Sequence, residues 1–249
     1  LLNYSLSFFA IIYTNKWESY FITSAFFAFI NIYIINKLFI NLKKIDLEGI
    51  LSLIKNSLPY ILIAITGWIS GYGFNYLVKI DLDLEKVGAF GFVFTLSNII
   101  LVITNSINLV WSSDFFEKKT NNKDNNDSDN SIWIIMMFLI LIFTITLTLI
   151  YPYIIEYVYS ANKVYLDFGK YIPLIGLAYI IYVPAWQAKN LYYYNNESIS
   201  LAKNSMISII LGIVFSLFMI RNFSVLGVFI GFTFNMGIQS LIISRFSTM

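Results

Sequence analysis

The sequence has no cysteine and no histidine. The first absence excludes disulfides and thiolate chemistry. Together they exclude imidazole acid–base pairs and most zinc and haem sites, so neither a metal nor a cofactor is expected. Charge is also scarce: Asp, Glu, Lys and Arg make up 12% of the 249 residues, against about 25% in a soluble domain. The net charge of +2 gives nucleic acid nothing to bind, and no such partner is expected. The opening Leu1-Leu2-Asn3-Tyr4 has neither a Met nor a basic n-region, so no signal peptide is expected. Because the chain opens inside an apolar run, the expectation is that an N-terminal portion precedes it.

In place of charge there is apolar surface: 58% of residues are hydrophobic, with a mean hydropathy of +0.73. A single globular core cannot hide that excess, so much of it must face lipid or other helices. A bilayer core of roughly 30 Å takes about 20 apolar residues at helical rise. Runs of this kind lie near 1–13, 19–40, 58–79, 87–111, 132–156, 167–186, 202–220 and 223–244. None alternates apolar with polar residues as a barrel strand does, and helices satisfy their own backbone in lipid. The expected fold is all-α, a polytopic transmembrane bundle of about eight spans. The longest polar stretch, from Ser112 to Ser131, has the composition of a loop that carries no fold.

Basic residues orient the spans. One set of alternate connections holds Lys37, Lys43, Lys44, Lys55, Lys118, Lys119, Lys123, Lys189, Lys203 and Arg245. The other holds Lys16, Lys79, Lys86, Lys163, Lys170 and Arg221. The positive-inside rule places the richer set in the cytoplasm, along with the C-terminus, in a multi-pass protein of the cytoplasmic (inner) membrane. Between Leu42 and Leu58, the residues Leu47, Ile50, Leu51, Ile54 and Leu58 recur at helical spacing opposite Lys43, Lys44, Asp46, Glu48, Lys55 and Asn56. This pattern predicts an amphipathic helix on the cytoplasmic surface that ends at Pro59.

Nothing in the chain has the arrangement of a catalytic site. The outer connections are too short for a catalytic domain, Asp114, Glu117 and Glu156 fall at helix ends, and HExxH, GxSxG and P-loop patterns are missing. The acidic Asp81, Asp83 and Glu85 suit a solvated turn. Polar and aromatic residues instead form stripes. Trp68, Tyr72, Asn75 and Lys79 recur at steps of four, three and four; Asn98, Asn105 and Asn108 fall near one face; Tyr179, Tyr182 and Trp186 lead on to Lys189. Polar side chains facing lipid are costly, so these stripes are expected to look into the bundle. They would suit a pathway for a sugar-bearing anion, with aromatic faces for sugars, amides for hydroxyls and Lys for phosphate. Helix–helix hydrogen bonds and an interfacial aromatic belt would use the same residues. Gly67, Gly71 and Gly73 crowd one span; Pro173 and Gly176 lie in another, with Pro184 at its expected end.

Three segments carry a resemblance to a known family. Leu53-Ile54-Lys55-Asn56-Ser57-Leu58-Pro59, after the amphipathic stretch, resembles the start of the seventh helix of Wzx-type polysaccharide flippases. These belong to the multidrug/oligosaccharidyl-lipid/polysaccharide exporter superfamily. Asp83-Leu84-Glu85-Lys86-Val87-Gly88-Ala89-Phe90 is similar to that family's outer turn and its Val-Gly-x-Tyr entry to the eighth helix. Phe223-Ser224-Val225-Leu226-Gly227-Val228, followed by Gly231, looks like the entry to the final helix. The resemblance implies the later helices, about the fifth to the twelfth, of a two-lobed twelve-helix exporter. Residues 1–41 would be the last two helices of the N-lobe, 42–57 the connector and 58–249 a six-helix C-lobe. The chain departs from the pattern at Asn75-Tyr76, where members often carry Asp-Arg, and at Phe90, where Tyr is usual; a coupling role held by the Asp-Arg pair does not transfer.

The function implied is alternating-access flipping of a polyprenyl-diphosphate-linked oligosaccharide from the cytoplasmic to the outer leaflet. Its partners would be the bilayer, that lipid-linked substrate and glycan-assembly proteins. A drug antiporter of the same superfamily is the first alternative; it would need an intramembrane carboxylate. A polytopic glycan polymerase or glycosyltransferase would need a long outer loop with acidic or Arg residues. A membrane scaffold would need no polar stripes.

Overall fold

The computed structural model describes Phe26, Phe29, Ile30, Tyr33 and residues 47–71, 73–120, 126–159 and 162–246. The chain divides into two compact units, Leu1–Asn56 and Ser57–Met249. In the first, the expected span near 1–13 lies outside the described residues. From the span near 19–40, Phe26, Phe29, Ile30 and Tyr33 are described, and all four are helical.

From residue 47 onward the described elements are helices: α1 Leu47–Ser70, α2 Phe74–Asp81, α3 Leu84–Thr120, α4 Asn126–Tyr159, α5 Lys163–Gly169, α6 Ile172–Tyr194 and α7 Ser198–Phe246. Across the short breaks they make five runs long and apolar enough to cross a membrane: Leu51–Asp81, Leu84–Thr120, Ile132–Val158, Lys163–Tyr194 and Ser198–Arg245. No more than 39% of any of their apolar windows is buried, so the remaining apolar surface needs lipid against it. The protein is a multi-pass α-helical membrane protein.

The fifth run has 48 residues. As a straight helix it would reach about 70 Å, more than twice a hydrocarbon core. It folds back instead at Ser224, whose φ of 52° and ψ of −126° lie far from helical values. The arms on either side, α7a and α7b, correspond to the two runs expected near 202–220 and 223–244.

Small residues hold the arms together. A Cβ added at Gly212 would strike Asn235, one at Gly227 would strike the Met219 carbonyl, and one at Gly231 would sit 2.9 Å from Ser216 Cα. Gly212 and Ser216 on one arm, and Gly227 and Gly231 on the other, are each four apart, so they share a face. The backbones approach closely there, as in small-xxx-small membrane pairs. The Ser216 hydroxyl donates to the Gly231 carbonyl at 3.0 Å. Thr144 packs onto Gly176 in the same manner where α4 meets α6.

The α7b arm then carries the core. Phe229 and Phe232 meet Phe74 of α2 and Phe90 and Phe94 of α3, with ring centroids 5.3–6.2 Å apart and all five rings buried. Offset and edge-to-face pairs of this kind add about 0.5–1.5 kcal/mol each beyond area burial. Thr233 donates to the Leu174 carbonyl of α6 at 3.0 Å.

Three expectations about boundaries are corrected. Pro59 does not end a helix, because α1 runs through it from Leu47 to Ser70. Pro184 likewise lies inside α6, which continues to Tyr194. In lipid a helix that gives up one backbone bond at a proline still satisfies the rest, so a single proline need not end it. The polar stretch after Ser112 is helical to Thr120, and helix resumes at Asn126. Apolar anchors explain the first extension: Trp111 and Phe115 are buried, and Phe116 stacks on Tyr194 at 6.3 Å. The residues 121–125 between the two helices lie outside the described set.

The acidic turn caps α3. Asp83 Oδ1 accepts from the Lys86 amide at 2.9 Å and Oδ2 meets Lys86 Nζ at 2.7 Å. These Lys86 bonds hold the Asp83 carboxyl below its ordinary value. A depressed folded value means the cap contributes fully above the unfolded carboxylate range and is lost as pH falls through the folded value. Asp81 lies 3.6 Å from Arg221 at the end of α7a, and Glu85 accepts from Asn162 at 3.4 Å.

Gly231→Ala should destabilise the detergent-solubilised protein by about 1–3 kcal/mol, because the added carbon meets backbone. Gly237→Ala should leave it near wild type, since there the carbon meets only Ile181 Cγ2 at 3.7 Å. Thermal unfolding checks the pair, and equal effects would contradict the hairpin contact.

Candidate functional site

The end of the bundle that carries Thr120 and Tyr194 collects the polar groups. On α6, Tyr182, Trp186, Lys189 and Tyr193 follow at steps of four, three and four, which puts them on one helix face. Tyr182 and Trp186 are buried and cross edge-to-face at 5.3 Å. Lys189, half-buried, donates from Nζ to the Tyr182 hydroxyl at 2.6 Å and lies 5.1 Å from that ring's centroid. Among the described residues, this ammonium has no carboxylate partner. At the far end of the stripe, Tyr193 stacks on Tyr60 of α1, with centroids 6.1 Å apart and planes 19° apart.

Beside this stripe an open groove of about 570 Å³ is lined by Tyr60, Tyr193, Asn105, Asn108, Ser112 and Asn190, with Leu109 and Phe116 at its edge. Its volume is in the range of small-molecule sites. The amides divide into two kinds. Asn190 donates to Asn108 at 3.0 Å, and about three turns back along the same two helices the Tyr179 hydroxyl donates to Asn98 at 3.3 Å. These bonds join α3 to α6, which run parallel; Asn98 and Tyr179 serve packing. Asn105 is exposed at the groove and makes no hydrogen bond to the described residues.

The first expected stripe does not hold together. Trp68, Asn75 and Lys79 would share a face only on an unbroken helix, and the helix breaks between Ser70 and Phe74. The Gly73 amide reaches back to the Trp68 carbonyl at 2.9 Å, and a Cβ on Gly73 would lie 2.8 Å from Ile69 Cα, so glycine is required. Trp68 is exposed beside Tyr76, and Lys79 is exposed near the opposite end of the span. Asn75 is half-buried against Gly91 of α3. Tyr72 lies outside the described residues.

The structure adds residues that the sequence reading did not single out. Tyr193 and Asn190 were within reach: Tyr193 continues the spacing from Lys189, and Asn190 neighbours it. Tyr60, just past Pro59, had no pattern to mark it. A separate buried link joins α7b to α1, where Gln239 donates to Ser70 at 2.6 Å and to Asn235 at 3.3 Å. Two amides four apart inside an apolar run were its signal.

The chain matches no protein-family model, and no curated protein or solved structure is significantly similar to it.

A double-mutant cycle of Asn108→Ala and Asn190→Ala, read by unfolding in detergent, should show a coupling of about 0.5–1.7 kcal/mol, the range of interhelical hydrogen bonds in membranes. Additive losses would mean that the pair does not tie α3 to α6.

Proposed function

We propose that this protein is a transporter, not an enzyme, and that it moves a polyprenyl-diphosphate-linked oligosaccharide across the membrane by alternating access. Lys189 carries this reading: a half-buried ammonium held only by a phenol, next to a groove of tyrosine faces and amides. A half-buried cation near the end of a span, with no carboxylate beside it, is costly and suits an anionic ligand. The diphosphate would meet Lys189. Sugars would lie on the Tyr60 and Tyr193 rings, with Asn105 and Ser112 bonding hydroxyls.

On this reading the basic residues orient the groove's mouth to the cytoplasm, where such a substrate is assembled. Among the described residues no carboxylate is buried, Asp114, Glu117 and Glu156 included, so these residues do not favour the drug-antiporter alternative.

In cells that depend on the full-length protein for surface glycan, Lys189→Met should lower export roughly tenfold, the worth of one charge-assisted contact. Asn105→Leu should lower it less, and Lys79→Met should leave it unchanged, with membrane abundance normal throughout. Wild-type export by a Lys189→Met, Asn105→Leu double variant would refute the assignment.

A further inference from the structure

A second polar cavity, of about 580 Å³, opens where α6 turns into α7 and shares no residue with the groove described above. Glu197, Ser200, Lys203 and Asn204 form its polar wall, together with Tyr192. Glu197 and Lys203 are exposed, and among the described residues neither side chain has a hydrogen-bond or ion-pair partner. The cavity therefore presents one fixed negative and one fixed positive charge that are not spent on each other. Tyr192 is 1% exposed; its hydroxyl accepts from Asn204 at 2.9 Å, and its own proton meets no acceptor among the described residues. That proton is available to an acceptor in the cavity.

Ile207, one turn beyond Lys203 on the same helix, and Ile242 complete the lining and are apolar. From Ile207 the exposed Leu211, Val214 and Phe218 continue along α7a at steps of four, three and four, making one uncovered face that follows the helix across the membrane.

We propose that this cavity binds the headgroup of a zwitterionic phospholipid with a primary amine, phosphatidylethanolamine in chemical class. The phosphate accepts from Lys203, Ser200 and the Tyr192 hydroxyl, the ammonium donates to Glu197, and an acyl chain lies along Ile207, Leu211, Val214 and Phe218. Charge complementarity selects the class. An anionic headgroup without an amine leaves Glu197 facing negative charge. A quaternary choline cannot donate a hydrogen bond to Glu197. The apolar face favours a membrane lipid over free phosphoethanolamine.

The test is native mass spectrometry of the full-length protein, extracted from vesicles of equal phosphatidylethanolamine, phosphatidylcholine and phosphatidylglycerol. Wild type should retain one phosphatidylethanolamine, about tenfold over either competitor. Glu197→Gln should lower that preference to the phosphatidylcholine level, and Lys203→Met should lower retention of all three lipids. Leu211→Ser should loosen the lipid with the polar wall intact. All three positions are exposed, so unfolding temperatures should stay at wild type. Equal or better retention of phosphatidylglycerol, or retention unchanged by both charge substitutions, would overturn the proposal. Displacement of the lipid by millimolar phosphoethanolamine would also overturn it and make the free headgroup the ligand.

Discussion

The two arms of α7 meet backbone to backbone at Gly212, Ser216, Gly227 and Gly231, and the Ser57–Met249 unit is assembled on the arm this contact positions. In lipid, burying a leucine between helices gains little, because acyl chains are as apolar as the partner helix. Close van der Waals approach and polar links must do that work. From α7b, Phe229 and Phe232 reach α2 and α3, Thr233 reaches α6 and Gln239 reaches α1. One small-residue seam thus places the anchor points for four other helices.

The second constraint is the disposal of polar groups. Most hydroxyls inside the spans are satisfied on their own helix: Thr66, Ser97, Thr104, Thr144 and Thr148 donate to carbonyls three or four residues back. The amides Asn98, Asn108 and Asn190 are used between helices. Asn105 is left over among the described residues and lines the groove with Tyr60 and Tyr193, while Lys189, one turn from Tyr193, is held by the Tyr182 phenol and no carboxylate. A residue that no packing role absorbs is a better guide to a site than polarity alone.

Much of this was legible beforehand, and the exceptions have physical causes. The span from Tyr182 to Lys189 was read correctly as one face, because α6 is unbroken over it. The residues from Trp68 to Lys79 do not follow one helical phase, because the chain breaks between Ser70 and Phe74 where Gly73 allows a close approach to Ile69. The prolines misled in the other direction. Pro59 and Pro184 look like stops by local rules, yet both sit inside helices, which in lipid remain the form that satisfies the other backbone groups. The stretch after Ser112 looked like loop by composition, and a few aromatic anchors kept it helical.

What the sequence determined by itself is the solvent and the helical class of the spans, though not where each helix ends. Apolar runs of this length without cysteine, histidine or alternation leave membrane helices as the form that satisfies their backbone, and no tertiary detail alters that. The third dimension decided which polar residues are free. Asn98 and Asn105 have the same chemistry and lie two turns apart, yet one is bonded to Tyr179 and the other faces the groove. Helical periodicity gives a residue's direction around its own axis, whereas its role depends on which other helix lies in that direction.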